Sequence, residues 1–292
     1  MERILFGDNQ FFGINHMSEE KARQQAMRFQ HLDAIVEVLQ IALHAGAGGF
    51  MCTTHDKIEK IADDVRANPA KWEGFTFYPG MPYAHKYANA VTELGYFDAV
   101  RKFLPKEGLV DTVLRGTKAV LSKDIESMMT LLVDAEMKMF RDLNTPVVFL
   151  QNVVTDLVQG LGFVDAFAVF HAHIKKRYGA EAGFITMNVP KLLPMLKAAG
   201  IENPIVCANY NKIGFRMSGG IDGYREILAK YPARMIAMSV LGSGAIRPRE
   251  AIEWICNEPL VESILFGASS RANIEQTVSL IQEYDAARVV PA

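Results

Sequence analysis

The sequence predicts a (β/α)8 barrel of the TIM type, an α/β fold of eight parallel strands ringed by helices. Short apolar runs alternate eight times with longer segments of helical periodicity. Most of these runs are apolar on both faces, as strands are when other layers cover both of their sides. Eight such alternations favour a closed barrel, and an open doubly wound sheet is the alternative.

The predicted strands are short and lie at intervals along the whole chain. In order they are Arg3–Phe6, Gly49–Thr53, Phe75–Tyr78, Val147–Gln151, Gly183–Met187, Ile205–Ala208, Met235–Ser239 and Ser263–Phe266. A TIM barrel builds its ligand site at the C-terminal ends of its strands. Polar residues that end or follow these runs are therefore the candidates for function.

The segments between the strands carry apolar residues at helical spacing. Ile35, Val38 and Leu39 belong to one stripe of this kind, which predicts a helix with one buried face. Residues 79–146 are too many for a simple connection. Helical patterns at Tyr87–Leu104 and Ser127–Leu143 predict a helical insertion between strands three and four, and an elaborated loop over the barrel mouth is the alternative. No linker rich in Pro, Gly or Ser divides the chain, so residues 1–292 are predicted to form a single barrel domain.

Composition limits the classes of partner and compartment. The 31 Lys+Arg and 33 Asp+Glu give a net charge of -2, which offers no electrostatic reason for nucleic acid as the main partner. No stretch approaches the roughly 20 apolar residues of a membrane span, and no apolar signal region opens the chain. Three cysteines are a poor disulfide framework. We expect a cytoplasmic protein with reduced thiols and a small-molecule substrate, and the oligomeric state stays open.

The run Gly267–Gln276 has the composition of an anion-binding turn. Small residues let a backbone turn approach a ligand, and the first N–H groups of a following helix carry positive partial charge. Ser269 and Ser270 add hydroxyl donors, and Arg271 adds a fixed charge. Phosphate binding is therefore predicted, with ordinary helix capping by either serine as the alternative.

The end of predicted strand two is polar where a barrel places its reactive groups. His55 and Asp56 are candidates for an acid/base and its neighbour, because His transfers protons near neutral pH. The alternative is a capping pair that faces solvent. Lys57 would form a Schiff base if it were desolvated, although most lysines are solvated charges.

The run Asp8–Gln10 follows predicted strand one and would orient a substrate or a nicotinamide-like ring, unless it serves only to form a turn. Asp8 is also a candidate base. A metal site made of Asp8, His16, His55 and His85 is an alternative, but these residues have no metal-motif spacing, and no metal is predicted.

Several segments together resemble the aldo-keto reductase superfamily, and they span most of the chain. Asp33–Phe50 resembles its first helix and the entry to its second strand, Phe184–Ile201 its fifth strand and helix, and Ile205–Asn211 its sixth strand. Ser239–Gly244 resembles its loop after strand seven. Gly267–Gln276 resembles its phosphate-gripping turn after strand eight. The resemblance implies a barrel that binds NADP or NAD.

The resemblance also implies a set of cofactor-binding residues. Asn188 matches an Asn of the family's fifth strand, and Asn209 stands where the family usually has Gln. With the two loops, the implied set is Asn188, Asn209, Ser239, Gly242, Gly244, Gly267, Ser269, Ser270, Arg271 and Asn273.

The usual catalytic residues of the family are replaced in this alignment. Cys52 stands at the position of the Asp, and Lys57 lies near the position of the Tyr acid. The strand-three Lys is not evident in Phe75–Pro79, and Gln151 or Asn152 fills the position of the strand-four His. The resemblance therefore implies a non-standard active site.

Three functional hypotheses follow. The first is an NAD(P)-dependent oxidoreductase whose reactive end is lined by Asp8, His55, Asp56, Lys57 and Gln151. The second keeps the barrel and replaces redox chemistry by a lyase, isomerase or hydrolase reaction on a small phosphorylated or metal-bound compound. The third is a non-catalytic binding subunit, because fold alone does not fix function.

Overall fold

Eight parallel strands close into a barrel in their order along the chain. The structure, a computed structural model, describes residues 1–14, 18–83 and 125–289. The strands are β1 (Ile4–Gly7), β2 (Gly49–Cys52), β3 (Thr76–Met81), β4 (Val147–Leu150), β5 (Glu181–Thr186), β6 (Ile205–Asn209), β7 (Arg234–Met238) and β8 (Val261–Phe266). β1 pairs with β8, with Ile4 opposite Ile264, and this pairing closes the sheet. The predicted barrel is confirmed and the open sheet is excluded.

Ten α-helices lie in the described part of the chain, and most of them cover the strands. They are α1 (Glu19–Arg28), α2 (Leu32–Ala45), α3 (Asp56–Ala67), α4 (Ile125–Glu136), α5 (Asn152–Leu161), α6 (Val164–Tyr178), α7 (Val189–Ala198), α8 (Gly220–Lys230), α9 (Pro248–Cys256) and α10 (Arg271–Val289). The apolar stripe of α2 is buried as its spacing predicts, with Ile35, Val38 and Leu39 at most 1% exposed. None of these helices combines the length and the apolar character needed to cross a membrane.

Side chains alternate between two apolar layers along each strand. In β1, Leu5 belongs to the cluster inside the barrel, whereas Ile4 and Phe6 pack in the layer between strands and helices. Gly183 makes room inside the barrel, because a Cβ at this position would overlap the Phe149 ring. The interior is a packed core, which leaves the strand ends as the place for a site.

The third strand is longer than the sequence analysis predicts. Pro79 and Gly80 are turn residues by composition, so the predicted strand ends at Tyr78, whereas β3 continues to Met81. Parallel pairing of Gly80 and Met81 with β4 sustains the extension. The other strands begin and end within two residues of their predicted limits. The error matters because it hides Tyr83, which lies just beyond the true end of β3.

The second predicted helix of the insertion is confirmed by α4 and a following 3-10 turn at Met137–Phe140. The first, at Tyr87–Leu104, lies outside the described residues. All three cysteines are buried and unpaired. The single-domain organisation of residues 1–292 stays a prediction.

Candidate functional site

The predicted site residues lie at the C-terminal ends of the strands. Asp8 follows β1, Cys52 ends β2 and Gln151 follows β4. Further around the barrel, Asn209 ends β6 and Ser239 follows β7. Because all eight strands are parallel, these positions share one face of the barrel.

Asp8 is a buried carboxylate fixed by the end of β2. Its Oδ2 accepts the Thr53 backbone N–H at 2.7 Å and the Thr53 hydroxyl at 2.9 Å. Burial raises the pKa of Asp8, because an ionised carboxylate loses solvation there, and the hydrogen bonds from Thr53 offset only part of this effect. A fixed carboxylate with a raised pKa, placed at a barrel mouth, is a candidate for a functional group.

The other two residues of the Asp8–Gln10 run differ in their surroundings. Asn9 is exposed, whereas Gln10 is buried and donates from Nε2 to the Gly7 carbonyl at 2.7 Å. A Cβ at Gly267 would overlap Gln10 Oε1. Gln10 therefore packs the loop after β1 against the turn after β8.

His55 caps α3, as the capping alternative in the sequence analysis predicts. Its Nδ1 accepts the Lys57 backbone N–H at 3.1 Å. A nitrogen that accepts a hydrogen bond carries no proton, so the neutral ring holds its hydrogen on Nε2. The ring packs against Phe12, with centroids 4.7 Å apart, and its centroid lies 6.1 Å from that of Tyr83. His55 is thus held in one tautomer between two aromatic rings.

Lys57 is half-buried and bound by backbone carbonyls. Its Nζ lies 2.8 Å from the Phe29 oxygen and 3.3 Å from the Phe11 oxygen, and 5.7 Å from the centre of the Phe12 ring. A Schiff base needs a neutral amine with an available lone pair. The observed contacts use Nζ as a donor and link the end of α1 to the loop after β1.

His55 and Lys57 share an open cleft of about 470 Å³ beside the strand ends. It is lined by Phe11, Phe12, Ile14, Ala26, His55, Lys57 and Tyr83. Mostly apolar walls with a few polar groups are typical of small-molecule sites. Burial raises the pKa of Tyr83, and the nearby negative charge of Asp8 raises it further. Asp56 is exposed in the first turn of α3 and does not line this cleft.

The sequence analysis missed Glu136, which joins two loops of the site. Both of its carboxylate oxygens lie 3.1 Å from the Tyr83 backbone nitrogen, which donates to them, and Oε2 accepts the Thr54 hydroxyl at 2.5 Å. Glu136 is only 3% exposed. A signal was present, because Glu136 comes four residues after Leu132, on the apolar face of a predicted helix.

Gln151 is buried at the end of β4, where the resemblance places a His. Its N–H donates to the Met81 carbonyl at 3.0 Å, and its own carbonyl accepts the Thr155 N–H at 2.9 Å. The backbone of Gln151 therefore joins β4 to the end of β3 and begins α5. The residue is 8% exposed, so it lies at the mouth but presents little surface to solvent.

The side chains of Asn188 and Asn209 each use part of their hydrogen-bonding capacity within the protein. Asn188 Oδ1 caps α7 by accepting the Lys191 N–H at 3.2 Å. Asn209 Nδ2 donates to Met187 Sδ and to the Arg216 carbonyl, both at 3.1 Å. Within the described residues, Asn188 Nδ2 and Asn209 Oδ1 form no hydrogen bond. One donor and one acceptor thus remain on this side of the mouth.

The loop after β7 is tightly wound. Ser239, Gly242, Ser243 and Gly244 have positive φ angles of 55°, 55°, 57° and 94°. The Gly242 N–H donates to the Ser239 carbonyl at 2.8 Å, and the Gly244 N–H to the Leu241 carbonyl at 2.9 Å. The glycines therefore close turns of the loop itself, and the two N–H groups expected to serve a ligand are used inside the loop.

The turn after β8 leads into the N-terminus of α10. Ser270 Oγ accepts the Asn273 N–H at 3.3 Å, which is the capping contact expected as the alternative to anion binding. Arg271 is exposed and pairs with Glu275 at 3.1 Å, one helical turn further on. Exposed pairs of this kind contribute little, so the guanidinium is available to a stronger partner. Gly267 is exposed as well.

The residues considered for a metal are only partly described. Asp8 and His55 lie at the mouth, whereas His16 and His85 lie outside the described residues. In the described ranges, no group of three or more His, Cys, Asp or Glu side chains is arranged to hold a metal ion.

Comparisons with known proteins find similarity in structure but not in sequence. No family model matches the chain, and a search of curated proteins gives no significant match. The structure is similar to an aldo-keto reductase from Brucella melitensis, with a TM-score of 0.57, 12% identity, and coverage of 97% of this chain and 93% of that one. It is also similar to an aldose reductase from Giardia lamblia, with a TM-score of 0.52, 11% identity, and coverage of 96% of this chain and 87% of that one. A third similar structure is a mutant of Gox0644 in complex with NADPH, with a TM-score of 0.55, 10% identity, and coverage of 98% of this chain and 87% of that one.

These similarities show the fold. The predicted resemblance to the aldo-keto reductase superfamily is confirmed at that level, because nearly all of the chain superposes on enzymes of that type. At 10% to 12% identity, the roles of individual residues rest on the geometry of the site.

Proposed function

We propose that the chain is an NAD(P)-dependent oxidoreductase with a non-standard active site. One side of the barrel mouth binds the dinucleotide, and the side formed by β1, β2 and β3 holds a carbonyl substrate. The observation that carries the proposal is that His55 and Tyr83 line one cleft of an aldo-keto-reductase-type barrel, with the Asp8 carboxylate close enough to Tyr83 to raise its pKa.

The turn after β8 fits a phosphate group. The first N–H groups of α10, those of Arg271 and Ala272, have no acceptor inside the helix. Ser269 and Ser270 add hydroxyls, and the exposed Arg271 adds charge. The NADPH bound to the structurally similar Gox0644 mutant supports this choice of ligand.

The side of the mouth formed by β5 and β6 fits a carboxamide. A carboxamide needs one acceptor for its N–H and one donor for its oxygen. Asn209 Oδ1 and Asn188 Nδ2 are such a pair, because the rest of each side chain is already engaged. These residues would hold the nicotinamide end, and a bound reduced nicotinamide would supply hydride to a carbonyl carbon.

We place His55 at the carbonyl oxygen as a hydrogen-bond donor. Its Nε2–H would stabilise the negative charge that develops there as hydride arrives, and water in the open cleft would supply the proton to the resulting alkoxide. Asp8 holds Thr53 and thereby fixes the loop that leads to His55. Gln151 shapes the floor of the mouth. Asp56 adds negative charge to the exposed first turn of α3, where it complements the helix dipole.

Two measurements test the proposal. Calorimetric titration with NADP, NAD and inorganic phosphate should show a dinucleotide that binds more tightly than phosphate. A panel of carbonyl compounds with NADPH, followed at several pH values, should show poor reduction of common aldehydes, slower by about 10²–10⁴ than effective acid catalysis allows.

Three outcomes are informative in different ways. Failure of every dinucleotide to bind contradicts the proposal. Rapid reduction of common aldehydes shows that the mouth already contains an ordinary acid. Tight binding of another phosphorylated compound without hydride transfer supports a lyase, isomerase or hydrolase instead.

A further inference from the structure

The cleft carries a positive charge at Lys57 that none of its described lining residues neutralises. Lys57 Nζ has three N–H groups, and its two acceptors, the carbonyls of Phe11 and Phe29, are uncharged. Among the described residues, Lys57 forms no ion pair with a carboxylate. One donor and a full charge therefore remain for a ligand.

The rest of the cleft is apolar and aromatic. Phe11, Phe12, Ile14 and Ala26 form most of the wall around Lys57. A ligand whose apolar body covers these walls displaces water from them, and a charge–charge contact is stronger where water has been displaced. Such a wall favours a ligand with a hydrophobic body, and the ammonium favours a ligand with an anionic end.

Phe12 brings the polar groups of the cleft together. His55 packs on its ring at 4.7 Å between centroids, and Lys57 Nζ lies 5.7 Å from the same centroid. The Lys57 backbone N–H also fixes the His55 tautomer. A ligand that covers Phe12 therefore meets a hydrogen-bond donor and a cation.

We propose that this cleft binds a hydrophobic carboxylate, with the carboxylate paired to Lys57 and the apolar body against Phe12. Resting on the proposed function, this assigns the substrate class as an oxo acid with an aryl or alkyl substituent. Its carbonyl oxygen meets His55, while its carboxylate is held by Lys57.

A pair of ligands that differ only in charge tests the site without turnover. The whole chain is titrated by calorimetry with 3-phenylpropionate and with its neutral primary amide. The wild type should bind the carboxylate about ten- to a hundredfold more tightly, the range expected for a charge-assisted contact. Lys57→Met should reduce the affinity for the carboxylate to that for the amide. Lys60→Met, which removes an exposed lysine of the same helix, should keep the preference.

Equal binding of both ligands by the wild type, or a preference that survives Lys57→Met, overturns the proposal.

A second measurement needs no variant and covers the case in which Lys57→Met does not fold. Reductive methylation of the wild type is followed by mass spectrometry. Saturating 3-phenylpropionate should slow the modification of Lys57 about tenfold or more, in line with the same contact, and leave Lys60 unchanged. The amide should protect neither lysine. Equal modification of Lys57 with and without the carboxylate overturns the proposal.

A parallel titration with NADPH separates this inference from the proposed function. NADPH binding without a carboxylate preference overturns the carboxylate site and leaves the oxidoreductase proposal standing. Lys57-dependent carboxylate binding without any dinucleotide binding supports the carboxylate site and contradicts the oxidoreductase proposal.

Discussion

The two sides of the barrel mouth are built from different kinds of group. Around β1, β2 and β3, charged side chains are buried and fixed: Asp8 by Thr53, and Glu136 by Tyr83 and Thr54. Around β7 and β8, the backbone dominates, with a loop of positive φ angles and the N-terminus of α10. Groups that act on a substrate must be held in one geometry, and the buried carboxylates fix the loops that carry them, whereas a phosphate is bound well by backbone N–H groups and an exposed cation. We therefore expect that substitutions on the first side change turnover, whereas substitutions on the second side change the affinity for the dinucleotide.

The largest effect is expected on the chemical side. His55→Gln removes the imidazole that donates to the carbonyl oxygen, so turnover of the true substrate should fall by about 10²–10³. The dinucleotide affinity should stay within about twofold of the wild type, because His55 lies on the other side of the mouth. Steady-state kinetics and calorimetry on the same preparations check both halves of this expectation.

The control for this substitution is His44→Gln, which changes an exposed histidine in the last turn of α2. It should leave turnover and affinity unchanged. Full activity in His55→Gln would remove His55 from the mechanism. A parallel loss of dinucleotide affinity would show that the two sides are not separable.

A smaller effect is expected on the binding side. Arg271→Ala should weaken dinucleotide binding by about 1.5–3 kcal/mol, or roughly ten- to a hundredfold, through loss of a charge-assisted contact. Turnover at saturating cofactor should change little. Glu275→Ala is the matched control, because it removes only the exposed partner of Arg271. An unchanged dinucleotide affinity in Arg271→Ala would contradict the assignment of the phosphate to this turn.

The smallest effect concerns the stability cost of Asp8. Because burial raises its pKa, the folded chain binds more protons than the unfolded chain at pH values between the two pKa values. Stability therefore falls as the pH rises through that window, which begins near the unfolded value of about 3.9, and stays lower above it. Asp8→Asn should abolish this pH-dependent loss of stability, while it lowers activity.

The Asp8→Asn substitution can keep both hydrogen bonds from Thr53. Both hydrogen bonds from Thr53 end on Oδ2, so one amide oxygen can accept them both. Urea unfolding of both proteins at pH 4 and pH 7 is the measurement. An identical change in stability between the two pH values for wild type and Asp8→Asn would contradict a raised pKa at Asp8.

The sequence by itself determined the fold and the face that carries the site. Strands buried on both sides must be apolar on both sides, so the pattern of runs such as Val147–Gln151 and Ile205–Ala208 is local information. Once the barrel is known, parallel strands bring all their C-terminal ends to one face. This is why the sequence alone predicts that Asp8, Gln151 and Asn209 lie at the mouth.

Only the tertiary structure decided which groups meet at that face. Glu136 and Tyr83 are 53 positions apart, and Asp8 and Thr53 are 45 positions apart. Lys57 finds its acceptor at Phe29, 28 positions away. No periodicity encodes these pairs, because side-chain contacts between loops depend on where the barrel sets each loop and on which buried polar groups need partners there.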